Sequence, residues 1–356
     1  DAYTDGERDE AFLLRIDANE ASDTYGQLVH ALAIGSAPRI DHVDCASDNL
    51  GRVYIALDRF GDHAAWYRYE DTVRHGPYEI IPAEIGCHPY SHKPRITVSG
   101  GDSPTLFAAF EGYSFSGSNG SGEWESCEAC IMAFDALGGA ALNDGEIVWN
   151  DGIIHGHYDV EWNGNGRFLW ALPYSEDLGG DILAVYTYDE TGTRLSRQVI
   201  QNFRTEPEPP YPRKVELIYT PTETNPHHRI FLVTDQGSAY WLTRDGVRYG
   251  DPFQSEYSTF VACGYLGSDS SIAHTFHPMW SWDPERDYPV LKPASAHNHW
   301  KTYPTRPRDK YSITDGYFPV GCNAGSPLSD DPVLLLVGRS AFKGDPKAYW
   351  HFEIQH

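Results

Sequence analysis

Two histidines, His42 and His63, stand 21 residues apart within the stretch from Asp41 to Asp71. Imidazole gains and loses a proton near neutral pH, so a pair brought together can serve one reaction as general base and general acid. The residues between them decide whether they meet. His42 to Ser47 reads as a strand, Asp48-Asn49-Leu50-Gly51 as a turn, and Arg52 to Asp58 as the returning strand. A loop ending in His63 then leads into a third strand, Ala64 to Tyr69. In an antiparallel sheet the start of the first strand and the loop from second to third lie at the same end, which predicts that the two histidines meet there.

The second and third strands of this unit recur. Arg52 to Leu57 with Ala65 to Asp71 is followed by Thr105 to Phe110 and, after a long loop, Cys130 to Asp135. Further copies are Arg167 to Leu172 with Leu183 to Glu190, Arg229 to Thr234 with Ala239 to Asp245, and Val333 to Val337 with Ala348 to Glu353. The interval from Tyr249 to Pro319 has room for one degenerate copy. A repeat of about 60 residues with several strands per copy is the mark of a β-propeller. The chain is therefore read as all-β, a single β-propeller domain over residues 1–356 with six or seven blades, seven favoured. Its amino-terminal segment, Ala11 to Ile16 and Leu28 to Ile34, is read as completing the last blade. Two β-sandwich domains are the alternative. Composition agrees with short strands and turns: 13% aromatic residues, 33 Gly and 24 Pro, with no sustained 3.6-residue apolar spacing. Trp66, Tyr186 and Trp241 are expected as packing residues between blades.

Carrying the register through every copy gathers more side chains at the histidine end. The second copy adds His92, Lys93 and Arg95, with Glu111 and Tyr113 across the hairpin. The third adds His155, His157 and Tyr158, with Tyr174 and Glu176 opposite. The fourth adds Tyr211 and Arg213, with Asp235, and the last adds Arg339 and Lys343. Imidazoles, phenols and cations in one place suit β-elimination from a uronic-acid-containing glycan. That reaction removes the proton α to a carboxylate, and a cation such as Arg95 or Arg213 would stabilise the enolate that develops. Histidine or tyrosine can take the proton and protonate the leaving oxygen. Asp62, Glu111, Glu176 and Asp235 keep hydrolysis by two carboxylates open. A lectin would use the same Tyr, Trp and His only to stack on sugars and hydrogen-bond them.

With 27 basic and 51 acidic residues the formal charge is −24, which disfavours nucleic acid and anionic membranes as partners. No apolar run reaches membrane-spanning length, and the start at Asp1, without Met or an apolar leader, reads as a mature exported chain. A polysaccharide or oligosaccharide is the expected partner of a monomeric, secreted protein. Six cysteines are an even count compatible with disulfides in an oxidising compartment. Cys127 with Cys130 reads as a loop disulfide and Cys45 with Cys87 as a further pair. Asn119-Gly120-Ser121 has the form of a glycosylation acceptor. No phosphate-binding Gly loop, G-x-S-x-G elbow or His-Glu-x-x-His is present, so no organic cofactor is expected. Between Cys263 and Cys322 lie His274, His277, His297 and His299, and thiolate with imidazole is a zinc-type ligand set. A structural zinc on Cys263, His274 and His277 competes there with a Cys263 to Cys322 disulfide.

The run His42…Asp48-Asn49-Leu50-Gly51-Arg52-Val53-Tyr54…His63, followed by Trp66-Tyr67-Arg68, resembles the histidine-bearing blade of the BNR-like propellers. That group includes ulvan lyases and rhamnose–glucuronate lyases. The resemblance implies a secreted, seven-bladed polysaccharide lyase with a structural zinc. It implies catalysis by His42 and His63 with Tyr158, and leaves Arg95, Tyr113, His155, Tyr174, Tyr211 and Arg213 as substrate contacts. The match is confined to the Asp41 to Asp71 stretch, and Val43-Asp44-Cys45 stands where the family commonly carries Asn-Asn-Pro.

Overall fold

The runs Val-Tyr-Ile-Ala-Leu and Ala-Trp-Tyr-Arg-Tyr-Glu are almost continuously apolar or aromatic, the pattern of strands covered on both faces. In the computed structural model both are middle strands of a four-stranded antiparallel sheet, buried along nearly their whole length. Their neighbours are exposed at many positions, as first and last strands of a meander should be. The structure describes residues 9–16, 21–24, 28–37, 40, 42–59, 62–81, 90–116, 123–149, 158–176, 180–205, 212, 215–219, 230–234 and 238–254. Beyond these it describes the strands within 263–265, 272–277, 290–295, 303–304, 318–324, 334–340 and 349–355. The chain divides into two compact units, Asp1–Asp17 with Gln27–Pro207, and Ala18–Gly26 with Glu208–His356.

The first unit opens with a two-stranded sheet of β1 (Asp9–Ile16) and β2 (Leu28–Ala37). Three meanders follow. The first is β3 (Val43–Ser47), β4 (Val53–Leu57), β5 (Ala65–Glu70) and β6 (Val73–Glu79). The second is β7 (Tyr90–Val98), β8 (Thr105–Ser116), β9 (Glu123–Asp135) and β10 (Glu146–Trp149). The third is β11 (Asp159–Trp162), β12 (Arg167–Glu176), β13 (Gly180–Asp189) and β14 (Arg194–Asn202).

The second unit holds β15 (Val215–Tyr219), β16 (Ile230–Thr234), β17 (Ser238–Leu242) and β18 (Arg248–Gln254) in one sheet. A second sheet has β19 (Cys263–Tyr265), β20 (Ile272–His277), β21 (Val290–Ser295) and β22 (Tyr303–Pro304), the degenerate copy expected between Tyr249 and Pro319. The third has three strands, β23 (Phe318–Ala324), β24 (Leu334–Ser340) and β25 (Tyr349–Gln355). The described strands thus fall into seven sheets, and among the described residues no helix is long and apolar enough to cross a membrane.

Within the first unit the sheets pack face to face. Tyr54, Ala56 and Trp66 of the first meander meet Ile96, Ala108, Phe110 and Phe134 of the second. Phe107 of the second stacks on Phe168 of the third, with ring centroids 4.7 Å apart and planes within 6°. The hairpin β1–β2 covers the other face of the first meander through Ala11 and Ile34. Arg74 Nη1 and the Tyr69 hydroxyl tie it down by donating to the carbonyls of Ile34 and Ala33, at 2.7 and 3.2 Å. Trp66, Tyr186 and Trp241 are all buried, as packing residues should be.

The stretch after Phe110 differs from the expected long loop. β8 and β9 continue as an extended hairpin, paired as far as Ser116 opposite Glu123. Ladder hydrogen bonds hold that extension, although its Gly- and Ser-bearing sequence lacks the apolar run that marks a covered strand. Cys127 and Cys130 therefore lie on one strand rather than in a loop, with the ladder's irregularity at Cys127. Cys45 is a free thiol, which does not support its pairing with Cys87, a residue outside those described.

Candidate functional site

His42 directly precedes β3 and His63 lies two residues before β5, so the first meander carries both at one end. The register fixes this: Leu57 pairs with Val43 on one side and Ala65 on the other, and the Asp58 amide donates to the His42 carbonyl at 2.9 Å. Both histidines are half-buried. The loop bearing His63 is fixed from several sides. Its amide donates to Asp62 Oδ1 at 2.8 Å and its carbonyl accepts from Arg59 Nε at 2.8 Å. Arg59 reaches Asp62 and Glu79 as well, each at 3.4 Å. The next amide, Ala64, donates to the buried Ser91 hydroxyl at 2.8 Å, which itself donates to the Ile80 carbonyl at 3.0 Å.

Lys93 on β7 is the hub that joins three sheets at this end. It sits in a register irregularity between His92 and Arg95, with φ at +48°. A non-glycine residue in the left-handed region costs of order 1 kcal/mol or more, and bulges of this kind re-aim side chains beside functional sites. The Lys93 amide donates to Asp58 Oδ2 of the first meander at 3.2 Å. Its carbonyl accepts from the Tyr158 hydroxyl of the third at 2.7 Å. Its ammonium meets both oxygens of Glu111 on β8, at 3.0 and 3.2 Å. Asp58 and Glu111 are each 1% exposed. Burial of such acids is tolerable only with hydrogen bonds or opposite charge alongside; Lys93 gives its ammonium to Glu111 and its backbone amide to Asp58.

The other expected site residues fall as follows. Arg95 is half-buried and donates to Asp44 Oδ1 at 3.3 Å, while Asp44 Oδ2 takes the Ile96 amide at 2.8 Å. Tyr158 is buried against Trp170, edge to face at 5.9 Å between centroids. Tyr174 is also buried, and Arg197 of β14 donates to its hydroxyl while lying 5.8 Å from its ring centroid. Burial raises the Tyr174 phenol above its ordinary range, so it stays protonated. Tyr113 pairs with Tyr90 in the ladder, and its side chain lies outside those described. His155, Tyr211 and Arg213 lie outside the described residues.

Of the expected zinc ligands only the backbone is described. Cys263 pairs with Thr275 and His274 with Gly264. His274 and His277 both lie on β20. Among the residues whose side chains are described, no three His, Cys, Asp or Glu gather as a metal site.

Asp44, Asp58 and Arg59 were not among the expected site residues. Asp58 has a signal in the sequence, a carboxylate set directly after the covered strand Val53–Leu57 with no turn residue between.

No family model matches the chain, and no curated protein matches its sequence. Solved structures do match its fold. An α-L-arabinofuranosidase from Fusarium graminearum, in complex with an iminosugar inhibitor, is 9% identical, with 97% of each chain covered and a TM-score of 0.50. A leech intramolecular trans-sialidase is 9% identical over 90% of this chain and 68% of that one, with a TM-score of 0.50. The AofleA protein of Arthrobotrys oligospora is 10% identical over 88% of this chain and 82% of that one, again at 0.50. With the four-stranded antiparallel meanders, this likeness defines the class: the chain is a β-propeller.

Proposed function

We propose that this propeller is a carbohydrate-active enzyme that cleaves a uronic-acid-containing glycan by β-elimination at the end of the first meander. The observation carrying the proposal is that His42 and His63 share one end of one sheet, beside a lysine held by a buried glutamate. In this reading one histidine takes the proton α to the uronate carboxylate and the other protonates the departing glycosidic oxygen. A cation neutralises the carboxylate as the enolate forms. The Tyr158 hydroxyl is engaged with the Lys93 carbonyl, so Tyr158 acts as a positioning residue and the two histidines carry the protons. Two of the similar folds are named for action on sugars, an arabinofuranosidase and a trans-sialidase, which supports a carbohydrate substrate. The resemblance of the histidine-bearing stretch to BNR-like lyases supports elimination. No step requires a metal.

Hydrolysis is the second reading, favoured by one observation: the buried carboxylates Asp58 and Glu111 lie at the same end and contact the same lysine. A glycosidase needs two carboxyl groups flanking the scissile bond. Incubation with glucuronate-containing polysaccharides separates the readings. Elimination yields an ultraviolet-absorbing unsaturated uronate together with a new reducing end. Reducing ends without that absorbance would replace elimination by hydrolysis, and binding with neither product would leave a lectin.

A further inference from the structure

Among the described residues three cations lie at the histidine end, and they are not equivalent. The Arg59 side chain is 15% exposed and occupied by Asp62, Glu79 and the His63 carbonyl. Arg95 is 13% exposed and lies against Asp44. The Lys93 side chain is 38% exposed, and that of its counter-ion Glu111 only 2%. The acid that anchors Lys93 is therefore inside the protein while the lysine itself reaches solvent.

We infer that Lys93 is the residue that reads the acidic group of the glycan, a specificity-determining point charge whose position is set by Glu111 beneath it and by its own left-handed backbone. An ammonium has three donors. The two oxygens of Glu111 account for the contacts on its buried side, which leaves its outer side for a carboxylate from solvent. The backbone supports the same role. A lysine placed only for charge balance would need no left-handed φ, whereas this one sits in a bulge whose amide and carbonyl are each tied to a neighbouring sheet. Such strain persists only where the surroundings over-determine it, as they do at binding sites. The chain as a whole carries −24, so a uronate approaches against a repulsive field and needs a local cation.

The inference rests on the proposed glycan substrate but not on the elimination step. It is tested by calorimetric titration of a glucuronate-bearing oligosaccharide, and of its carboxyl-reduced neutral counterpart, into wild type, Lys93→Met and Lys93→Arg. Wild type should prefer the acidic ligand. Lys93→Met should weaken binding of the acidic ligand roughly tenfold or more, the worth of a charge-assisted hydrogen bond, and leave the neutral one unchanged. Lys93→Arg should restore part of the preference. No preference in wild type, an equal loss on both ligands in Lys93→Met, or an intact preference in that variant would each overturn the inference. Lys93→Gln takes the place of the Met variant if circular dichroism shows the latter unfolded. Ultraviolet absorbance in the same samples reports on elimination separately. A preference lost without any unsaturated product sinks the elimination reading alone, and product with an unaltered preference sinks the inference alone.

Discussion

The two ends of the first three meanders use the same kinds of residue, buried acids with arginine and tyrosine, yet hold them in different ways. At the turn end the carboxylates and amide that close the turns are served by their own neighbours, although contacts also cross between meanders there, such as Arg52 Nη2 donating to the Gly101 carbonyl at 3.0 Å and the Gly101 amide to Asn49 Oδ1 at 2.9 Å. Asp48 Oδ1 takes the amides of Leu50 and Arg52 at 2.9 and 3.1 Å, and its Oδ2 takes Arg52 Nε and the Tyr54 hydroxyl at 2.5 and 3.0 Å. Burial, with Asp48 alongside, keeps the Tyr54 phenol protonated and able to donate. The same device recurs at Asn163, which takes the amides of Asn165 and Arg167, and at Asp189, which takes those of Thr191 and Thr193. Gly51, with φ at +78°, supplies the left-handed residue that closes the first of these turns. At the histidine end only the loop around His63 has local partners, Asp62 and Arg59, and the buried acids and Lys93 are served from far along the chain. Asp58 waits for Lys93, 35 residues on; Asp44 for Arg95, 51 residues on; Lys93 for Tyr158, 65 residues on. Local bonds form with the turn itself, whereas remote ones exist only once the sheets have stacked. The turn end is thus a stability device repeated blade by blade, and the histidine end is where packing assembles the proposed site.

This contrast can be broken by substitution. Removing either of the proposed proton-transferring groups, His42→Ala or His63→Ala, should lower turnover by roughly a hundredfold to ten-thousandfold while leaving the urea unfolding midpoint close to wild type. Full activity in both variants would detach the histidine end from catalysis. Asp48→Ala should do the reverse. It strips a fully covered carboxylate from an arginine whose side chain is only 10% exposed, and should cost about 3 kcal/mol of unfolding free energy. Turnover per folded molecule should not change; a drop in turnover without lost stability would show that the two ends are coupled. Tyr158→Phe sharpens the comparison most finely. Losing one hydroxyl bond between the third and second meanders should cost about 1 kcal/mol with only a modest fall in turnover. A hundredfold fall would make Tyr158 a proton carrier rather than a strut.

Much of the framework is legible from local pattern. The strands of the Asp41 to Asp71 stretch, the recurrence that follows and the degenerate copy between Tyr249 and Pro319 all come from apolar runs and turn residues, whose effects act over a few positions. The burial of Trp66, Tyr186 and Trp241 follows from the same alternation. The extension of β8 and β9 beyond Phe110 was not legible, because it is held by ladder hydrogen bonds between segments without a covered face.

The histidine pair belongs to what the chain determines by itself. Strand, turn, strand and loop are consecutive, so antiparallel pairing alone brings His42 and His63 to one end. Which of the surrounding groups remain available was decided only by the tertiary structure. Arg95 spends its charge on Asp44, Tyr158 gives its hydroxyl to a backbone carbonyl and Tyr174 sinks between sheets, while Lys93 keeps part of its side chain in solvent. Each of those outcomes depends on a partner from another strand, often from another meander, and no spacing along the chain records such a partner before the sheets pack.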